Sequence, residues 1–190
     1  MREPKRKPKT QSRRPGWARL TILTILSILG TLPLTAAMQG CGKTPPPPPK
    51  FKILEPYAIR ARVLSKKNYR DYWAPVDLLL VWGELLDPKT TSGVIAEQGD
   101  RLGWWFPPKD HPLGSKKHMI ANTHLIADDE EIRKQILEIS EGDTIYLEGA
   151  LVEAEIEPKK IMKSSLSRTD SGRGACEVIL IRRIEPLQSR

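Results

Sequence analysis

Cysteine is scarce: the 190-residue chain holds two, Cys41 and Cys176. They allow one disulfide at most, and none is expected, because Cys41 ends an apolar segment and so belongs to a membrane surface or to a lipid. Histidine is nearly as rare, at three residues. Neither an HExxH spacing nor a cysteine pair accompanies them, so neither a metal nor a cofactor is expected. No glycine-rich stretch has phosphate-loop spacing, no internal repeat is visible, and strands and helices do not alternate as βαβ units require. Positive charge, despite a net +8, is missing from most of the chain. Residues 51–190 hold 21 basic against 22 acidic side chains, whereas residues 1–19 hold eight basic against Glu3 alone. A near-neutral domain lacks the charge to neutralise many phosphates, so a nucleic-acid partner is not expected.

What is present at the N-terminus reads as an address. After the basic leader, residues 1–19, the stretch from Leu20 to Met38 contains no charged residue. As a helix it would span roughly 28 Å, near the thickness of a hydrocarbon core. The basic flank places residues 1–19 in the cytoplasm and the rest outside. The apolar segment, residues 20–40, is interrupted by Gly30 and Pro33 and runs into Met38-Gln39-Gly40-Cys41-Gly42. That ending resembles the lipobox in which a cysteine receives lipid, which makes Cys41 the lipidation candidate; an uncleaved signal anchor is the alternative. Ser12-Arg13-Arg14 hints at a twin-arginine signal, but Pro15 and Gly16 break it. Residues 41–50 form a linker whose five prolines, Pro45 to Pro49, make a polyproline spacer of roughly 15 Å.

Residues 51–190 read as one mainly β domain with a single helix. Tyr57 to Leu64 alternates, with Tyr57, Ile59, Ala61 and Val63 on one face. Val76 to Trp82 is apolar apart from Asp77, which suits a strand covered on both sides. Residues 84–101 look like an irregular connection, Trp104 to Phe106 a short strand, and Met119 to Ile126 another. Asp129 to Ile139 is the one helix, with Asp128 as N-cap and Ile132 and Ile136 on its apolar stripe. Strands are expected at Thr144 to Ile156, with a bulge or bend at Gly149, and at Ala175 to Ile184. Six or seven strands and one helix fit a small, bent, OB-like β-barrel.

The densest polar run lies between the last two strands and contains Ser164, Ser165, Arg168, Asp170 and two glycines, Gly172 and Gly174. Arg168 is suited to clamp an anion, yet serine, aspartate and glycine are also what a long turn needs. Cys176 sits on the apolar face of its strand and reads as a small hydrophobe; as a nucleophile it would need His118 or His124 as base. His118 and His124 would share a face if both lay in a strand. Trp104 and Trp105 are adjacent, so in a strand they point oppositely and one is exposed.

Four stretches carry a resemblance: Trp82-Gly83, HMIANTHLI from His118, GDTIYLEGALV from Gly142, and Ser164-Ser165-x-x-Arg168-x-Asp170-x-Gly172-x-Gly174-x-Cys176-Glu177. Over roughly residues 55–185 the chain resembles a family of bacterial exported envelope proteins with no established activity. The resemblance implies an exported domain and says nothing of a reaction.

The expectation is therefore a domain of the cell envelope, anchored in a membrane, that lies outside the cytoplasm and binds an envelope ligand or protein without catalysis. Asn122, His124, Ser164, Ser165, Arg168 and Asp170 are its candidate ligand-binding residues. The alternatives are a hydrolase using Cys176 or Ser165 with His124, and a structural subunit of an envelope assembly.

Overall fold

The computed structural model describes residues 49–70, 73–170, 172 and 174–187. The basic leader, the apolar segment and residues 41–48 of the linker, Cys41 among them, lie outside them, and among the described residues no helix is long and apolar enough to cross a membrane. Among the described residues the fold is mainly β, with eight strands and one α-helix: β1 Lys50–Asn68, β2 Val76–Val81, β3 Ile95–Gly99, β4 Leu102–Phe106, β5 Ile120–Ala127, α1 Glu130–Glu138, β6 Thr144–Glu157, β7 Lys160–Lys163 and β8 Glu177–Pro186. The six-stranded sheet runs β1-β2-β5-β8-β6-β7, and β1 also pairs with β6. Five strands thus form a closed circuit, β1-β2-β5-β8-β6 and back to β1. Every pairing in the circuit is antiparallel except β5 with β8.

β1 closes that circuit because it is long enough to serve two partners. Its Lys50–Arg62 portion pairs with β6 and its Arg62–Asn68 portion with β2, with register shifts at Ile53/Glu55 and Val63/Ser65 where the strand bends. The alternating face of β1 turns Tyr57, Ile59, Ala61 and Val63 inward, where they meet Val76, Leu78 and Leu80 of β2, Leu125 of β5, Leu147 of β6 and Ile179 and Ile181 of β8. Ile132 and Ile136 of α1 close one end of this core. Burial of each contributes on the order of 1.5–3 kcal/mol. The helix is fixed at both ends. Asp129, one residue after the expected cap, accepts from Ile132 N at 2.8 Å, and Lys66 donates to the carbonyl oxygens of Leu137 and Ile139 at the negative end.

β2 is buried along its whole length because its outer face is covered too. Leu79 and Val81 pack outward against Leu85, Leu113 and Ile120, with Trp105 against them. The cover is the β3–β4 hairpin with the 3-10 turns Gly83–Leu86, Pro88–Thr91 and Pro112–Ser115; β3 and most of the first two turns fall within residues 84–101, a stretch the sequence alone presents as irregular. Glycine and proline punctuation hides the β3 pattern, and β3 is only five residues long. Gly149 does mark a bulge, as its place in a strand predicts: the β6–β8 register shifts between Glu148 and Gly149. A Cβ there would lie 1.9 Å from Leu180 O, so backbone approach excludes any side chain.

Candidate functional site

The outer face of β2 and β5 is where the polar side chains gather. Asp77 pairs directly with His124 across the antiparallel ladder, and Asn122, two residues before His124, shares its face. β8 runs parallel beside β5 with Thr123 opposite Glu177, which brings Cys176, the residue before β8, alongside Asn122. Four chemistry-bearing residues from three chain segments therefore converge by register alone. Asn122 Nδ2 lies 3.5 Å from Cys176 Sγ and donates to Arg101 O at 3.2 Å.

Asp77 is fully buried and sits between two cations. Its Oδ1 is 2.8 Å from Arg101 Nη1 and 2.9 Å from His124 Nδ1. The histidine contact is one of charge proximity: the ring N–H is not aimed for a hydrogen bond, and Oδ2 also lacks one among the described residues. Arg101 reaches Asp77 from the tip of the β3–β4 hairpin. The two-residue loop Asp100-Arg101 has φ of 51° and 65°, the primed turn that suits a tight hairpin. The guanidinium lies 3.6 Å from the centre of the Tyr69 ring and 4.7 Å from that of Trp73, and Nη1 also donates to Ala74 O.

His124 is 1% exposed. Burial by itself would depress its pKa; contacts with the Asp77 carboxylate and with the Cys176 thiol outweigh that and hold it up at about 9. The imidazole is therefore a cation at neutral pH beside the Asp77 carboxylate.

Above these residues lies a cavity of about 650 Å³. Trp104, Trp105 and Phe106 of β4 and Ile120 of β5 form its apolar walls, and Lys117, Asn122, Asp170 and Cys176 contribute polar surface. Trp104 is 41% exposed at the rim, while Trp105 packs partly buried beside it, the opposite pointing that adjacency in a strand requires.

The polar run 164–176 is a loop closed at its base by Ser165 N donating to Cys176 O at 2.9 Å. Ser164 Oγ accepts from Val178 N and donates to Ser165 O, which ties the loop to β8. Ser165 Oγ donates to Asp170 Oδ2 at 2.6 Å and accepts from Ser167 N, so its hydroxyl is engaged in shaping the loop. Arg168 stacks between Tyr57 and Trp82, 4.8 Å from each ring centre, and stands 3.9 Å from Glu177. Burial raises the Glu177 carboxyl to about 7, with Arg168 opposing, and the Tyr57 phenol, also buried, is pushed well above its usual range.

Of the six residues expected to bind ligand, the cavity lining thus includes Asn122 and Asp170. His124 is buried and outside the lining, Ser164 and Ser165 organise the loop, and Arg168 is held by two aromatic rings. His118 falls in a 3-10 turn before β5 and is exposed, so it does not share the His124 face. Cys176 precedes its strand instead of sitting within it, which opens its side to the cavity. Asp77 and Arg101 were not singled out as site residues, although a lone carboxylate inside VDLLLVW was a signal: such a charge is buried only when paired. Compared with known proteins, the chain matches no family model and no curated protein.

Proposed function

We propose that residues 51–190 are an OB-like ligand-binding module of the bacterial envelope, held at a membrane by residues 1–40 through the proline spacer. The closed circuit of five strands, the parallel pairing of β5 with β8, and a helix between β5 and β6 support the barrel reading. The basic leader, the uncharged stretch from Leu20 to Met38 and the near-neutral remainder support export and tethering, by lipid on Cys41 or by an uncleaved helix. The motif likeness over residues 55–185 agrees with that setting.

The observation that carries the binding reading is the cavity. Its volume lies within the range of small-molecule sites, its walls are aromatic and aliphatic, and few polar groups converge on it. Such a lining, with Asn122, Lys117 and Asp170 as its polar groups, fits a compact ligand with an apolar body and one hydrogen-bonding head. Octanamide is a suitable probe. Titrated into the full-length chain in lipid nanodiscs, it is expected to change tryptophan fluorescence saturably, through Trp104 and Trp105 in the cavity wall, and to raise the melting temperature. Ala175→Trp places a ring in the cavity and should abolish both responses. No saturable response, or an unchanged one in Ala175→Trp, would overturn the assignment of the seat.

A further inference from the structure

We infer that the cavity seats an extended peptide segment of a partner protein, with apolar residues at alternate positions, which pairs as an added strand with the free edge of β4. The inference rests on reading the cavity as the ligand seat, and names the class of ligand it takes.

β4 pairs with β3 alone among the described residues, so one of its edges has no strand beside it. That edge borders the cavity. Leu102, Gly103, Trp104, Trp105 and Phe106 all belong to the lining, although successive side chains of a strand point to opposite faces. Consecutive residues reach one space when the strand turns its edge, and with it the main chain, toward that space. The turn fixes which main-chain groups are free. Gly99 and Leu102 flank the two-residue loop and form the first hydrogen-bonded pair, and such pairs alternate along an antiparallel ladder. Leu102, Trp104 and Phe106 therefore bond to β3, while the N–H and C=O groups of Gly103 and Trp105 point away from it, to the free edge.

Other free edges are blunted, and this one is not. β7 begins and ends on Lys160 and Lys163, the first part of β1 carries Lys50 and Lys52 beside a register shift, and β3 holds Glu97. β4 has no charge, no proline within it and no register shift against β3. Such an edge, bordered by Trp104, Trp105, Phe106 and Ile120, offers what strand addition uses: main-chain groups for affinity and apolar pockets for alternate side chains. A ligand held by side chains alone would need the aromatic walls, but not an unpaired main chain running along them. Lys117 and Asp170 bring one charge of each sign to the lining, so a neutral segment suits it better than a strongly charged one.

The test titrates the full-length chain in lipid nanodiscs with acetylated, amidated pentapeptides Thr-Xaa-Thr-Xaa-Thr, where Xaa is Val, Leu or Phe. Single-residue hydrogen–deuterium exchange reads the outcome. In the free protein the Gly103 and Trp105 amides should exchange faster than those of Trp104 and Phe106. At ten times its Kd, at least one peptide should slow Gly103 and Trp105 by about 10-fold, well beyond any change at Trp104 and Phe106. Two N-methylated derivatives of that peptide, blocked at the Xaa or at the Thr amides, keep the apolar side chains. One of them should bind about 10-fold more weakly and the other should not, since only alternate amides face β4. Equal binding by both derivatives would overturn the inference. No slowing at Gly103 and Trp105 with any of the three peptides would overturn it too, and octanamide binding in the same samples would leave the cavity reading standing. Slowing that octanamide leaves undiminished would uphold the strand pairing and remove the cavity as the small-ligand seat. Protection of both amides that grows with protein concentration and needs no peptide would assign the edge to a second copy of the chain and overturn the inference.

Discussion

Asp77→Asn is the most informative single change, because it alters one atom type at a residue with no exposed surface. In the native domain the carboxylate lies between Arg101 and His124. Because His124 has a folded pKa raised from 6.5 to about 9, its contribution to stability is fully present below pH 6.5 and is lost as pH climbs through about 9. That gap is worth about 3 kcal/mol. Removing the carboxylate leaves burial as the main influence on the imidazole, which then resists protonation, and leaves Arg101 with one anionic contact fewer. A buried pair broken on one side costs about 3–5 kcal/mol. Urea unfolding of the full-length chain, followed by tryptophan fluorescence from pH 6 to pH 9.5, measures both effects. The native protein should lose about 3 kcal/mol across that range through His124, and the variant should start several kcal/mol lower at pH 6 with a flatter profile. A variant within 1 kcal/mol of native at pH 6, with the same slope, would refute the reasoning.

Glu177→Gln tests the second buried acid. Since the folded pKa of Glu177 is raised from 4.5 to about 7, the native domain loses stability as pH rises through that window; the glutamine variant should not, and should be the more stable by up to about 3 kcal/mol at pH 8 in urea titrations. Gly149→Ala forces a Cβ toward Leu180 O and should cost about 1–3 kcal/mol or more, read as a drop in melting temperature in calorimetry. Arg168→Ala removes the cation from between Tyr57 and Trp82 and the charge that opposes Glu177's shift; the Glu177 titration followed by infrared spectroscopy should move above pH 7. Cys41→Ala should abolish incorporation of labelled palmitate if Cys41 carries lipid, and retained labelling would contradict lipidation there.

Much of the β framework was readable because its signals are periodic. The alternation from Tyr57 to Val63, the continuous apolar run of β2, the glycine in β6 and the capped helix each state their burial in the chain itself. The β3–β4 hairpin was not readable, since a five-residue strand between 3-10 turns shows no dominant period, and its cover over β2 is a tertiary fact. The site was half legible. Asn122, His124 and Asp170 could be named, but Arg168 pointed to an anion clamp and instead lies between two rings. Asp77 and His124 are 47 positions apart, and only the β2–β5 register makes them neighbours. Arg101 joins them through a turn conformation that neither Asp100 nor Arg101 advertises, both residues standing at positive φ without glycine.

The proposed module presents a cavity with a reachable thiol outside the cytoplasm. Treating intact cells with a maleimide that cannot cross the cytoplasmic membrane, then mapping the modified peptide by mass spectrometry, tests it most directly. Modification of Cys176 before lysis, slowed by octanamide, is the predicted result. Modification that appears only after the cytoplasmic membrane is opened would contradict it.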